Sequence, residues 1–209
     1  MSPRNSLAEA ARTRERIVRV AVDEASRIGL AGLTIGALAD RLAMSKAGVV
    51  GPFGTRENLQ IAALDQARRI FHASVVAPLA GLTPGAARLA RLIDRWIGYL
   101  ADCPFPGGCF VTAASSELDG RPGPLRDRLH AAVVEWRTFL ATEILAAGTA
   151  RWPADEVVTV LIGISMATNQ EIQLLDDPTA ADRGRAAMRD AVGLPDGPTS
   201  DTGTGSGRG

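Results

Sequence analysis

The chain has 209 residues, of which 46% are hydrophobic and 22% are charged, a composition that suffices for a sizeable hydrophobic core. Its 23 basic and 23 acidic residues give a formal net charge of zero, so bulk charge does not mark a nucleic-acid binder. The first 70 residues nevertheless hold eleven basic and seven acidic side chains, and the remainder has an acidic excess of four. A basic first third suits a local DNA-binding surface.

The first residues, the longest apolar run and the cysteines together indicate the cellular compartment. The first sixteen residues have no apolar core and no cleavage-like site, so we expect no signal peptide. The longest nearly apolar run, residues 157–168, is about half the length of a membrane span. Cys103 and Cys109 do not form a CxxC pair, which favours a reducing compartment. We expect a cytoplasmic protein.

Helical periodicity begins early in the chain. Apolar residues recur at steps of three and four, and charged residues occupy the opposite face. The predicted buried face consists of Ile17, Val18, Ala21, Val22, Ala25 and Ile28. We expect residues 1–11 to be a flexible arm before this helix, and Gly29 to end it.

Two short helices joined by a tight turn come next. Thr34 is placed to cap the first, which runs from Ile35 to about Ala43. Met44 and Ser45 form the predicted turn, and Ser45 caps a second short helix from Lys46 to about Gly51. This second helix has weak helical propensity because it contains two glycines and meets a proline.

Helices are predicted for most of the remaining chain. Thr55 is placed to cap a helix that runs to about Ala77, before Pro78. Apolar stripes then predict helices over residues 84–101, 109–118, 125–145, 153–175 and 180–192. No alternating strand pattern appears, so we expect an all-α fold of about nine helices. Residues 195–209 are rich in Gly, Pro, Ser, Thr and Asp and are predicted to be a disordered tail.

Residues 33–64 carry a specific motif, LTIGALADRLAMSKAGVVGPFGTRENLQIAAL. It resembles the signature of the TetR family of bacterial transcription regulators. Ser45 and Lys46 match the Ser-Lys of that signature, and residues 53–59 match its F-G-S/T-K/R-E-x-L segment. The resemblance covers about residues 12–72. The segment 105–127, FPGGCFVTAASSELDGRPGPLRD, also resembles the sensor domain of one TetR subgroup.

The motif predicts a helix-turn-helix whose second short helix enters the major groove of DNA. Small residues on that helix allow close approach to the bases, and Lys46 and Arg56 are expected to contact phosphates. The predicted DNA-binding residues are Thr34, Ser45, Lys46, Ala47, Gly48, Val50, Gly51, Thr55 and Arg56. Val50 and Pro52 stand where the family usually has an aromatic residue and a histidine, so two expected backbone contacts are missing. The operator of a relative is therefore not transferable.

The resemblance also implies a domain organisation and a mode of regulation. It implies a helix-turn-helix domain over residues 12–72 and a ligand-sensing and dimerisation domain over residues 73–194. A homodimer would join through the nearly all-apolar helix 157–168, with Val160, Ile164 and Ala167 at the interface. A small, mostly apolar effector would occupy a pocket lined by Trp96, Phe105, Cys109, Phe110 and Trp136. The expected function is that of a ligand-released repressor.

Residues with catalytic or metal-binding chemistry are not arranged as a site. His72 and His130 are far apart, and no nucleophile elbow, P-loop or zinc-protease pattern appears, so we expect no enzyme, cofactor or metal. Glu117 and Asp119 are interpreted as solvated or capping groups beside a Gly/Pro turn.

Two other functions stay open: an all-α enzyme or lipid carrier, and a relative whose helix-turn-helix binds protein instead of DNA. The sequence also leaves open activation instead of repression, and a redox role for Cys109.

Overall fold

The computed structural model describes residues 3–195, and these form an all-α fold, as predicted. Residues 196–209 of the predicted tail and the first two residues of the predicted arm lie outside the described residues. The helices are α1 (Pro3–Gly32), α2 (Ile35–Leu42), α3 (Lys46–Val50), α4 (Arg56–Phe71), α5 (Ala86–Ala101), α6 (Phe110–Leu118), α7 (Pro124–Ala147), α8 (Ala154–Leu175) and α9 (Ala180–Ala191).

The first helix differs from its prediction at its start and in one residue of its buried face. Residues 3–11, predicted to be an arm, are the first turns of α1, because this segment is rich in good helix formers such as alanine. Gly29 interrupts the helix as predicted, with a φ of 78° that a glycine adopts without strain. Ile28, predicted to be buried, is 48% exposed, since the chain changes direction at the next residue.

The helix that follows the motif also ends earlier than predicted. Regular α-helix stops at Phe71, and the chain continues through a π-helical turn (His72–Val76) and a 3₁₀ turn (Ala77–Leu79). Pro78 is the physical reason, because it has no N–H to donate and its ring displaces the carbonyl one turn earlier.

One hydrophobic core runs through the described part of the chain. α1 packs on α4 and α6, α2 packs on α3, and α5 contacts α7, α8 and α9. The small helix-turn-helix unit therefore joins the larger helical bundle mainly through α1 and α4. No helix within residues 3–195 has the length and apolarity needed to cross a membrane.

Candidate nucleic-acid interface and sensor core

Three hydroxyl side chains start the helices of the motif, as predicted. The Thr34 Oγ1 accepts a hydrogen bond from the Ala37 N–H (3.2 Å), the Ser45 Oγ from the Gly48 N–H (3.0 Å), and the Thr55 Oγ1 from the Asn58 N–H (3.1 Å). Each cap satisfies an N–H that has no partner inside its own helix. Each hydroxyl still has its own proton to donate, for example to a phosphate oxygen.

The turn between α2 and α3 is made by an alanine. Ala43 has a φ of 51° and a ψ of 46°, the left-handed conformation that glycine usually supplies at the end of a helix. The Met44 N–H also donates to the Ala39 carbonyl (2.9 Å). The turn therefore begins one residue earlier than the predicted Met44–Ser45 turn.

α3 is anchored by a single residue and presents the others to solvent. Val49 is completely buried, whereas Ser45, Lys46, Ala47 and Gly51 are exposed. Gly48 and Val50 are half-buried, and Thr34, Thr55 and Arg56 are exposed on neighbouring elements. All nine predicted DNA-binding residues are thus accessible. Lys46 is the one charged side chain within α3, and its Cε lies 3.7 Å from where a side chain on Gly36 would begin.

Arg56 has a structural role that the sequence did not predict. Its Nε donates to the Leu33 carbonyl (2.7 Å), and its Nη2 donates to the Ala31 carbonyl. Two of the donors expected to hold phosphate therefore tie the α1–α2 connection to the start of α4. Three of its five N–H groups, two on Nη1 and one on Nη2, are left to donate to a phosphate.

Two further arginines hold the motif together. The Arg14 guanidinium lies 4.9 Å from the ring centroid of Phe53, in a cation–π contact that joins α1 to the α3–α4 turn. Arg41 on α2 pairs with Asp23 (2.6 Å) and with Glu24 on α1. The hydrogen bonds with Glu24 and then Asp23 raise the pKa of Arg41 above its usual value. The sequence pattern did not predict the contacts of Arg14 or of Arg41, since both depend on how α1 packs.

Glu117 caps a segment that lies far from it in sequence. One oxygen of its carboxylate accepts a hydrogen bond from the Leu30 N–H (2.8 Å), and the other accepts one from the Ala31 N–H. Gln60 on α4 donates to the Leu30 carbonyl (2.5 Å). The interpretation of Glu117 as a capping group is therefore supported, but its partner is the broken turn after Gly29. The last turn of α6 is thereby bonded to the helix-turn-helix.

Four of the five predicted pocket residues belong to two groups of packed aromatic rings. Trp96 and Trp136 contact each other edge to face with ring centroids 5.0 Å apart, and Phe71, Tyr99 and Phe139 complete this aromatic cluster. Phe105 and Phe110 form a second pair, 5.8 Å apart. Four of the five, all but Trp136, are more than nine-tenths buried. Of the five, Phe105 lines a cavity of about 380 Å³ between α1, α4 and the α5–α6 loop, and the other four do not.

The two cysteines lie near this second aromatic pair. Burial raises the pKa of the Cys103 thiol, which disfavours the reactive thiolate there. Cys109 is buried, and its N–H donates to the Asn169 side chain on α8 (2.8 Å). Within residues 3–195 no His, Cys, Asp and Glu side chains form a group suited to a metal ion.

α8 divides into an inner and an outer face. Val157, Val158 and Leu161 are buried in the core. Of the predicted interface residues, Val160 and Ile164 are half-buried and Ala167 is exposed. Other exposed apolar side chains of α8 and α7 are Met166 (42%), Leu174 (69%), Val134 (47%) and Leu145 (72%).

A capped helix-turn-helix, joined through α1 and α4 to an apolar helical bundle, is the architecture of a DNA-binding transcriptional regulator.

Comparisons with known proteins agree with that class. Residues 85–188 match the family described as tetracyclin repressor-like, C-terminal domain. A TetR transcriptional regulator from Chloroflexus aurantiacus J-10-FL is 23% identical, with a TM-score of 0.78 over 88% of this chain and 95% of that one. No curated protein sequence is significantly similar to this chain.

Two solved structures of similar fold contain ligands. AibR in complex with isovaleryl coenzyme A and operator DNA is 17% identical, with a TM-score of 0.70 over 88% of this chain and 99% of that one. A transcriptional regulator from Saccharomonospora viridis in complex with choline is 18% identical, with a TM-score of 0.69 over 86% of this chain and 95% of that one.

The chain belongs to the TetR family of transcriptional regulators.

Proposed function

We propose that the protein is a homodimeric repressor that binds an operator through α3 and is released from it by a small effector. The observation that carries this proposal is the exposed face of α3, which Val49 holds to the core and Ser45 caps. Small residues on that face let the helix lie deep in a major groove. Lys46 and the free donors of the three capping hydroxyls and of Arg56 supply contacts to phosphate.

The domain organisation and the dimer are part of the same proposal. Residues 12–72 would form the DNA-binding unit, and residues 73–194 the sensing and dimerisation unit. Two copies would pair through the outer face of α8, at Val160, Ile164 and Ala167, together with exposed apolar residues of α7. Burial of these apolar side chains supports association. A two-fold dimer would present its α3 helices to half-sites roughly 34–36 Å apart.

Release by an effector requires that the effector bind one conformer more tightly than the other. AibR binds isovaleryl coenzyme A, and the Saccharomonospora viridis regulator binds choline. These ligands differ in size and charge, so the shared fold does not specify the effector. The effector of this chain has to be inferred from its own residues.

The first test is selection of DNA sites by the purified full chain from a random duplex library, followed by affinity measurements at two salt concentrations. We expect one preferred two-fold sequence, bound with an affinity that falls steeply with salt. Lys46 is the only lysine, so an amine-reactive acetylating reagent modifies it and the chain terminus alone. The selected duplex, unlike a scrambled one, should protect Lys46 from acetylation.

One observation favours a second function, in which the motif binds a protein. The exposed residues of α3 other than Lys46 are small or apolar, and Pro52 follows the helix. The same library distinguishes the two functions. Failure to select any sequence, with acetylation of Lys46 unaffected by DNA, would contradict the repressor and leave the protein-binding function.

A further inference from the structure

The cavity that Phe105 lines is at the junction of the two units and outside the aromatic cluster. It measures about 380 Å³, which falls in the range of small-molecule sites. Val20 of α1, Ile70 of α4 and the α5–α6 loop residues Pro104 and Phe105 form its apolar walls. In contrast, the rings of Trp96 and Trp136 pack directly on each other and on their neighbours.

The polar rim of this cavity carries one uncompensated positive charge. Asp23 is already paired with Arg41 (2.6 Å), and Arg27 lies 3.8 Å from its other oxygen. Arg19 is exposed and forms no ion pair within residues 3–195. A ligand with a negative group therefore fits the rim better than a cation.

A second donor lies at the same rim. The Gln66 Oε1 accepts two hydrogen bonds from Arg69, at 3.1 and 2.6 Å, so the amide NH₂ of Gln66 is left to donate. A guanidinium and an amide NH₂ beside apolar walls suit a carboxylate attached to a hydrocarbon body.

We propose that this junction cavity binds a small apolar carboxylate and is the effector site of the regulator. The proposal rests on the proposed function for its consequence, the release of DNA, but not for the binding itself.

The wall of the cavity is mechanically connected to the DNA-binding unit. The α5–α6 loop touches α1 so closely that a side chain on Gly107 would begin 1.6 Å from the Ser26 carbonyl oxygen. The same loop leads into α6, whose Glu117 holds the Leu30 and Ala31 N–H groups. A ligand that wedges Pro104 and Phe105 away from α1 therefore also pulls Glu117 from the turn that precedes α2 and α3.

The test uses three probes of equal length, octanoate, octylammonium and octanol, with the full chain and no DNA. Binding is measured by calorimetry and by the rise in Tm. We expect octanoate to bind and the other two to bind at least about tenfold more weakly, since a hydrogen-bonded charge pair is lost. Arg19→Gln should weaken octanoate about tenfold and bring it to the level of octanol.

Two further variants locate the site. Arg16→Gln removes the same charge from α1 outside the cavity and should leave octanoate binding unchanged. Val20→Phe fills the cavity and should abolish it. Equal binding of the three probes, or equal octanoate affinity in wild type and Arg19→Gln, would overturn the proposal.

A final measurement separates this proposal from the proposed function. Octanoate is added to the complex with the selected duplex, and release is compared between wild type and Arg19→Gln. Release from wild type alone supports the proposal, and selective octanoate binding without release overturns the effector role. If no duplex is selected but octanoate still requires Arg19, the repressor function fails and the binding site stands.

Discussion

The helix-turn-helix and the helical bundle behind it are stabilised by different kinds of contact. In the helix-turn-helix, the hydroxyls of Thr34, Ser45 and Thr55 each accept a hydrogen bond from an N–H in the helix that they start. The start of each helix is therefore specified within four residues of sequence. In the bundle, Trp96 and Trp136 meet across α5 and α7, forty residues apart. Local chemistry thus specifies the first unit, and packing at a distance specifies the second.

The largest expected effect tests whether the aromatic cluster is core or pocket. Trp96→Ala should lower the free energy of unfolding by about 3–5 kcal/mol, because the indole is 4% exposed and packs against other rings. Trp96→Phe serves as the control and should cost less than half as much. The measurement is chemical unfolding of both variants. A loss under about 1 kcal/mol for Trp96→Ala would mean that the ring lines open space instead.

The connection between the two units is tested by Glu117→Gln. The amide keeps one acceptor, so the Leu30 or Ala31 N–H loses its partner, and we expect a loss of about 1–2 kcal/mol in unfolding free energy. Affinity for the selected duplex should fall as well, since the turn before α2 loosens. Asp119→Asn, at the same end of α6, is the matched control. Unchanged DNA affinity in Glu117→Gln would show that this bond does not orient the helix-turn-helix.

The DNA-binding face is tested by Lys46→Gln. We expect affinity to fall by about 1–2 kcal/mol and the salt slope to decrease by about one, since one phosphate contact is removed. Thermal stability should be unchanged because the side chain is exposed. Arg95→Gln, an exposed change on α5, is the control. A salt slope identical to wild type would remove Lys46 from the interface.

The turn between α2 and α3 offers a gain in stability. Ala43→Gly should raise the unfolding free energy by about 0.5–1 kcal/mol, because glycine adopts the left-handed conformation without strain. Ala37→Gly, the same change inside α2, should lower it by about 1 kcal/mol. Urea unfolding of the two variants measures both. A loss in Ala43→Gly would indicate that the alanine methyl group contributes packing.

The smallest expected effect lies before α9. Hydrogen bonds from Arg183 and then Thr179 lower the pKa of Asp177 to about 2. A depressed folded pKa adds stability above the unfolded value near 4, and this stability is lost as the pH falls through about 2. Asp177→Asn should therefore lower Tm slightly at neutral pH, with a difference that shrinks in acid. Asp190→Asn is the control, and a pH-independent difference would contradict the charge-based account.

The predictions that held depend on near neighbours in the chain. The all-α fold, the three caps and the break at Gly29 each follow from residues within about one helical turn. The predictions that failed concern helix boundaries, since α1 begins before residue 12 and α4 ends before Ala77. The alanines of residues 3–11 favour a helix, and Pro78 disrupts the regular helix before Ala77.

The sequence by itself determined the helical class and the helix-turn-helix, because periodicity, caps and turn residues act over a few positions. Only the tertiary structure decided which side chains face empty space. Four of the five predicted pocket residues are packed away from the cavity in the folded protein. Arg19, Gln66 and Phe105 lie at the edge of the cavity. The tertiary structure likewise joined Glu117 to Leu30, 87 residues away. Such contacts depend on how whole helices pack, and no local pattern encodes them.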